Sequence, residues 1–168
     1  NATYLVTGGF GSLGLKVAHW LAKKGAQHLA LIGRRSPDST ALAELDKLEQ
    51  AGVSLRLITA DVSDFSQLSI ALESALSEKG LRRPSPHNRP LKGVFHLAGT
   101  LADGLMVNQD WAKFERVIRP KLDGAWHLHR LTEMRSLDYF VCFSSMVSLM
   151  GAMGQSNYAA ANAFVDGL

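Results

Sequence analysis

Cysteine is nearly missing from this chain, with one, Cys142, in 168 residues. An intrachain disulfide is therefore excluded. Inside the apolar run Tyr139-Phe140-Val141-Cys142-Phe143 the thiol reads as a small buried hydrophobe, compatible with a reducing cytoplasm. No apolar run approaches the ~20 residues of a membrane-spanning helix. Charge of one sign is scarce as well: 18 Lys and Arg against 15 Asp and Glu leave a net of +3. Five of the basic residues fall in Lys79, Arg82, Arg83, Arg89 and Lys92, among Pro84, Pro86 and Pro90. No aromatic side chain interleaves with them, so the stretch reads as a solvated loop rather than a nucleic-acid platform. Metal-ligand spacing is absent: His127 and His129, two apart on a helix, diverge by about 200°. Gly-x-Ser-x-Gly does not occur, which argues against a hydrolase elbow. There is neither a signal peptide nor an initiator methionine. Asn1-Ala2-Thr3 leads directly into a strand-like segment, the expected start of a piece cut from a longer polypeptide.

What is present is alternation. The length suits one domain, and 46% hydrophobic composition supports a substantial core. Tyr4-Leu5-Val6, His28 to Ile32, Val53 to Ala60, Gly93 to Leu97 and Leu137 to Phe143 read as strands. Between them lie helical patterns: Ser12 to Lys24, stopped by Gly25; a helix capped by Ser39 or Thr40 that runs to Ala51, stopped by Gly52; and Phe65 to Glu78. A long helical stretch from Trp111 to Met134 is expected to break at Arg119-Pro120, and a last helix begins near Gln155. Strands alternating with helices imply an α/β fold, a doubly wound parallel sheet of Rossmann type, with ligands at the carboxyl edge. A domain of this kind has further strands after the last helix. The chain ends at Leu168, so a C-terminally truncated sheet is expected.

Thr7-Gly8-Gly9-Phe10-Gly11-Ser12-Leu13-Gly14 places Gly9-x-Gly11-x-x-Gly14 between a strand and a helix, the dinucleotide fingerprint in its proper context. Glycines there allow a tight turn and close backbone approach, and helix N–H groups meet the pyrophosphate. The second strand ends in Gly33-Arg34-Arg35-Ser36, with no acid to hold ribose hydroxyls. Two guanidiniums suit a 2′-phosphate, which selects NADPH. Asp61-Val62 ends the third strand, where it would either meet the adenine edge or cap the next turn. Ala98-Gly99 follows the fourth and lets backbone approach the cofactor. His96 reads as a packed strand histidine rather than a catalyst.

Tyr158-Ala-Ala-Ala-Asn162 sets a phenol and an amide four residues apart on one helix face. Ser145 lies just past the fifth strand, and Lys121 on a separate helix. Reducing a ketone needs hydride at carbon and a proton at oxygen. A phenol gives its proton more readily beside a positive charge, which assigns Tyr158 as donor and Lys121 as the charge and a holder of ribose hydroxyls. Ser145 would donate to the developing alkoxide, and Asn162 would orient Lys121 or a bridging water.

At these residues the chain resembles the short-chain dehydrogenase/reductase superfamily, and within it the ketoreductase domains of modular polyketide synthases, with animal fatty acid synthase next. Common superfamily members carry lysine four residues after the tyrosine. The synthase ketoreductases carry asparagine there and lysine upstream, as with Asn162 and Lys121. Pro120-Lys121-Leu122-Asp123-Gly124, Phe143-Ser144-Ser145 and Gln155 through Phe164 fit the same pattern. The resemblance implies an NADPH-dependent reductase of a β-ketoacyl thioester, with an acyl carrier protein bearing the phosphopantetheine-linked chain as partner, alongside other synthase domains. It also implies a substrate loop at Leu101 and Asp103 and at Met150. A Leu-Asp-Asp loop accompanies B-type (3R, D) alcohols and a tryptophan after the serine the other type. This chain has Leu101-Ala102-Asp103, with Ala102 departing from the pattern, and Met150 where the tryptophan would fall, which leans to B-type. The alternatives are a freestanding reductase or epimerase of a small metabolite and a non-catalytic dinucleotide-binding module.

Overall fold

The computed structural model describes residues 2–77 and 89–168. Glu78 and most of the basic, proline-rich stretch lie outside the described residues. Five parallel strands form one sheet: β1 (Thr3–Thr7), β2 (His28–Gly33), β3 (Ser54–Thr59), β4 (Leu91–His96) and β5 (Tyr139–Cys142). Their spatial order is β3-β2-β1-β4-β5. Because every strand is parallel, all carboxyl ends lie on one edge: Thr7 pairs with Ile32 and with His96, and His96 with Cys142. The order reverses between β1 and β4, and a crevice opens at that reversal.

Alternation along each strand divides the core in two. Leu5, Ala30, Ile32 and Val94 face one side, against Leu68 and Leu72 of α3 (Phe65–Leu76) and Leu128 of α4 (Trp111–Thr132). Val6, Leu29, Leu31 and Phe95 face the other, against Leu15, Ala18 and Leu21 of α1 (Ser12–Lys23) and Leu45 and Leu48 of α2 (Ser39–Gln50). Each fully buried leucine contributes about 1.5–3 kcal/mol by leaving water. The short α5 (Val147–Met150) and α6 (Ser156–Gly167) complete the chain, and α6 packs on α4 and α5.

Three local expectations change. The cap of α2 is Asp38, whose Oδ1 accepts from Ala41 N at 2.8 Å, and Ser39 and Thr40 are already helical. A carboxylate placed one residue earlier outcompetes the hydroxyls for the free N–H groups. Second, α4 runs through Pro120 without a break. Proline in a helix interior costs about 3 kcal/mol. The buried stripe of Val117, Lys121, Gly124, Ala125 and Leu128 holds the helix to the sheet across it. Third, Lys92 belongs to β4, and its Nζ donates to Ser136 O at 3.0 Å and Asp138 Oδ1 at 3.2 Å, pinning the entry to β5.

Candidate active site

A cleft of about 640 Å³ opens at the carboxyl edge, around the loops after β1, β2, β3 and β4. Of the residues expected to hold a cofactor, Gly8, Gly11, Ser12, Leu13, Gly14, Arg34, Arg35, Ser36, Asp61, Val62, Ala98 and Gly99 line it, while Thr7 and Gly9 do not. Thr7 lies fully buried beneath it. Its Oγ1 is 2.7 Å from His96 Nδ1 and accepts from Ala98 N at 3.3 Å, tying the first loop to the fourth. Gly9 is small for a packing reason: a Cβ there would sit 2.8 Å from Leu31 Cβ. Gly8 has φ +67°, and a Cβ on Gly14 would fall 2.2 Å from Gly8 O, so the loop closes only around glycine.

The rim of the cleft beyond β2 is basic. Arg34 and Arg35 border it, and the nearest acid on α2, Asp38, has its Oδ1 committed to capping that helix. Asp61 is engaged locally: its Oδ1 accepts from Ser63 N at 2.9 Å and Ser63 Oγ at 2.5 Å. Burial alone would raise the Asp61 carboxyl, but these bonds and the charges of Arg34 and Arg119 outweigh it and hold the group below the usual carboxylate range. Sequence reasoning missed Phe10, whose ring covers Gly33; a Cβ on Gly33 would lie 2.2 Å from Phe10 Cδ2. An aromatic within a glycine loop signals such a cover only once its strand partner is known.

Lys121 is 4% exposed, and its ammonium donates to the Phe143 carbonyl. Its Cε would lie 3.1 Å from a Cβ on Gly99, so it stands between the fourth loop and the segment leading to Ser145. Burial pushes the lysine below its ordinary value, while Cys142 and Asp166 act in the opposite direction. Burial raises the Cys142 thiol, which therefore stays neutral at pH 7 and leaves Asp166 as the actual anion. His96 is sealed under α4 beside Gly124. Burial and then the charge of Lys121 lower its imidazole to about 4, so it is neutral and structural.

Ser145 Oγ accepts from Val147 N at 3.3 Å, which leaves its proton free to donate outward. Tyr158 is half-buried on the first turn of α6. Asn162 is fully buried; its Nδ2 donates to Tyr158 O at 2.8 Å, and its Oδ1 has no protein partner. A buried acceptor left without a partner calls for a water or another donor. The structure thus places Lys121 beside the serine segment and Tyr158 and Asn162 on the helix packed against α4 and α5.

The loop at 101–104 is clasped by residues to which sequence reasoning assigned no role. Asn157, fully buried, donates through Nδ2 to Ala102 O at 2.8 Å and to Gln109 Oε1 at 3.2 Å, while its Oδ1 accepts from Tyr158 N at 2.7 Å. Gln109 Nε2 reaches Gly104 O at 3.0 Å, and Gln155 Nε2 reaches Asp103 Oδ2 at 2.9 Å. Leu101 and Met150 remain exposed, together with Met106, Leu149 and Met153.

Comparison with known proteins gives the relatives of this architecture. The family model described as KR domain matches residues 2–168. The spectinabilin polyketide synthase system protein NorB of Streptomyces orinoci is 44% identical over 171 residues, covering all of this chain and 7% of that protein. The mycoketide-CoA synthase of Mycobacterium tuberculosis is 40% identical over 168 residues, covering 99% of this chain and 4% of that protein. Among solved structures, an N-terminal ketoreductase from the macrolactin assembly line superposes with a TM-score of 0.87 at 35% identity, covering 99% of this chain and 33% of that one. A-type ketoreductases from a modular polyketide synthase give 0.87 at 38% identity, covering 98% and 33%. The chain thus spans a small part of the curated relatives and about a third of those solved chains.

Proposed function

We propose, from the premise that this chain belongs to the KR domain family, that it is the catalytic segment of an NADPH-dependent ketoreductase within a polyketide synthase. Its substrate would be a β-ketoacyl thioester on the phosphopantetheine arm of an acyl carrier protein, and other synthase domains would be its neighbours. A cytoplasmic setting agrees with this, and among the described residues no helix is long and apolar enough to cross a membrane. The observation that carries the reading is the burial of Lys121, an ammonium held between the Gly99 loop and the Phe143 carbonyl just before Ser145. A buried cation costs stability unless it is paired and hydrogen-bonded, and a perturbed one beside a cleft is a candidate functional group.

The residues divide the task. The glycine loop and Arg34, Arg35 and Ser36 would hold the phosphates, Asp61 and Val62 would contact the adenine, and Ala98 and Gly99 would admit the nicotinamide half. When bound, the reduced nicotinamide supplies hydride to the carbonyl carbon. Ser145 donates to the carbonyl oxygen, and Tyr158 delivers the proton that completes the alcohol. Lys121 provides positive charge and ribose contacts, and the free Oδ1 of Asn162 anchors a water between α6 and Lys121. Exposed Leu101, Met150 and Leu149 offer an apolar surface to the acyl chain. Leu101-Ala102-Asp103, with Met150 instead of tryptophan, favours the B-type 3R alcohol.

A turnover assay on the intact polypeptide with a β-ketoacyl thioester mimic and NADPH tests this, with chiral analysis of the product. Tyr158→Phe is expected to lower kcat by at least ~10²-fold, the scale of a lost proton donor, with NADPH affinity unchanged. Unaltered turnover would reject the assignment. A freestanding metabolite reductase would instead prefer free ketones, and a binding module would show no turnover at all.

A further inference from the structure

Eight residues after Tyr158 and four after Asn162, Asp166 continues the same face of α6. Asp166 is exposed, yet its carboxylate is partnered. Oδ2 lies 2.5 Å from Ser148 Oγ, and the Ser144 side chain hydrogen-bonds the same group. Ser148 is itself bound to the catalytic turn: its N donates to Ser145 O at 3.0 Å, and its Oγ lies 2.8 Å from that oxygen. Its single hydroxyl proton serves either acceptor, and the carboxylate is the nearer. Hydrogen bonds from Ser144 first, and then from Ser148, hold Asp166 below the usual carboxylate range, with the Lys121 charge adding to them.

Resting on the ketoreductase reading above, we propose that Asp166 is a positioning residue for the reduction: it fixes the turn that aims Ser145 and sets the counter-charge opposite Lys121. The two roles follow from where it sits. Residues 144–148 carry the serine on a short turn bonded within itself, and α6 ties that turn to the helix that also carries Tyr158. Donor and electrophilic assistant are thereby held in one frame, and a misplacement of about 1 Å at such a site costs ~10²-fold in rate. The titratable groups whose charge reaches Lys121 are His96 from β4, Cys142 from β5 and Asp166 from α6, the helix that also carries the Tyr158 phenol. His96 and the half-buried thiol are neutral, so Asp166 supplies the negative charge among the described residues that opposes desolvation of the ammonium.

Asp166→Asn, Asp166→Glu and Ser148→Ala in the intact polypeptide test the proposal, read by kcat, NADPH dissociation constant and the pH profile of kcat. Asp166→Asn keeps the shape and removes the charge. It is expected to lower kcat by about tenfold or more, to leave NADPH affinity within about twofold, and to start the alkaline loss of activity at lower pH. The sign follows from the lysine: without the carboxylate, burial lowers its pKa further, and the ammonium is lost sooner as pH rises. Asp166→Glu should restore part of the rate and the wild-type alkaline limb. Ser148→Ala should lower kcat severalfold with the alkaline limb unmoved, because the charge remains; this variant decides the anchoring role if Asp166→Asn does not fold. Wild-type kcat and pH profile in Asp166→Asn, or wild-type kcat in Ser148→Ala, overturns the proposal while leaving the reductase assignment intact. Absence of turnover in the wild type, or full activity in Tyr158→Phe, overturns both.

Discussion

At the scale of single residues, the NADPH preference proposed above rests on Arg34. It borders the cleft where an NAD site would place an acid, and its charge also reaches Asp61. Arg34→Ala is expected to weaken NADPH about tenfold or more, the worth of one charge-assisted contact, with NADH affinity changed far less. Paired fluorescence titrations read both constants, and equal losses would remove the 2′-phosphate assignment. That the glycine loop and the two arginines border one cleft was legible beforehand, because Gly-x-Gly-x-x-Gly and Arg-Arg carry their signals in backbone and charge at strand ends. The role of Asp38 was not, since only the coordinates show its Oδ1 turned to Ala41 N.

At the scale of elements, the helices follow the period of their apolar residues, but their ends follow whichever side chain reaches the free N–H groups first. Asp38→Ala should destabilise α2 by about 1 kcal/mol and lower the thermal midpoint, whereas Thr40→Ala should change it little. Scanning calorimetry on both variants checks this, and the reverse ranking would restore the hydroxyl cap. The unbroken α4 has a different lesson. Pro120 signals a break because the local rule sees one missing hydrogen bond, whereas tertiary packing of Val117, Gly124 and Leu128 is invisible to it. The clasp of Asn157 and Gln109 on residues 102–104 was hidden likewise. Two amides about fifty residues apart leave no periodic trace until a fold brings them together.

For the molecule as a whole, the parallel order and the two-sided core could be read from alternation alone, while the reversal point that hosts the cleft emerged only with the strand order. Its acid stability is tied to a buried imidazole. His96 falls from an ordinary 6.5 to about 4, first through burial and then through Lys121. The unfolded chain thus binds the proton more readily than the folded one between those values. The contribution is complete above pH 6.5 and is lost as pH falls toward 4, amounting to about 3 kcal/mol at ~1.4 kcal/mol per unit. His28, lowered by burial and then by Arg89, adds to the same slope. His96→Gln should flatten the fall of the urea midpoint across this window, even where its stability at pH 7 is lower. An unchanged slope would show that other groups govern acid unfolding.

Thr7 closes the central strand with one hydroxyl that meets both His96 and the Ala98 N–H. Strand pairing and the loop at the cleft's fourth side therefore share a single fastening at that point, whereas residues 34–36 hang beyond the end of β2, outside the framework. Redesign of nucleotide choice accordingly has wide latitude at the arginines and almost none at the threonine. Lineages that drifted in coenzyme preference would carry their record in the former and stay silent at the latter.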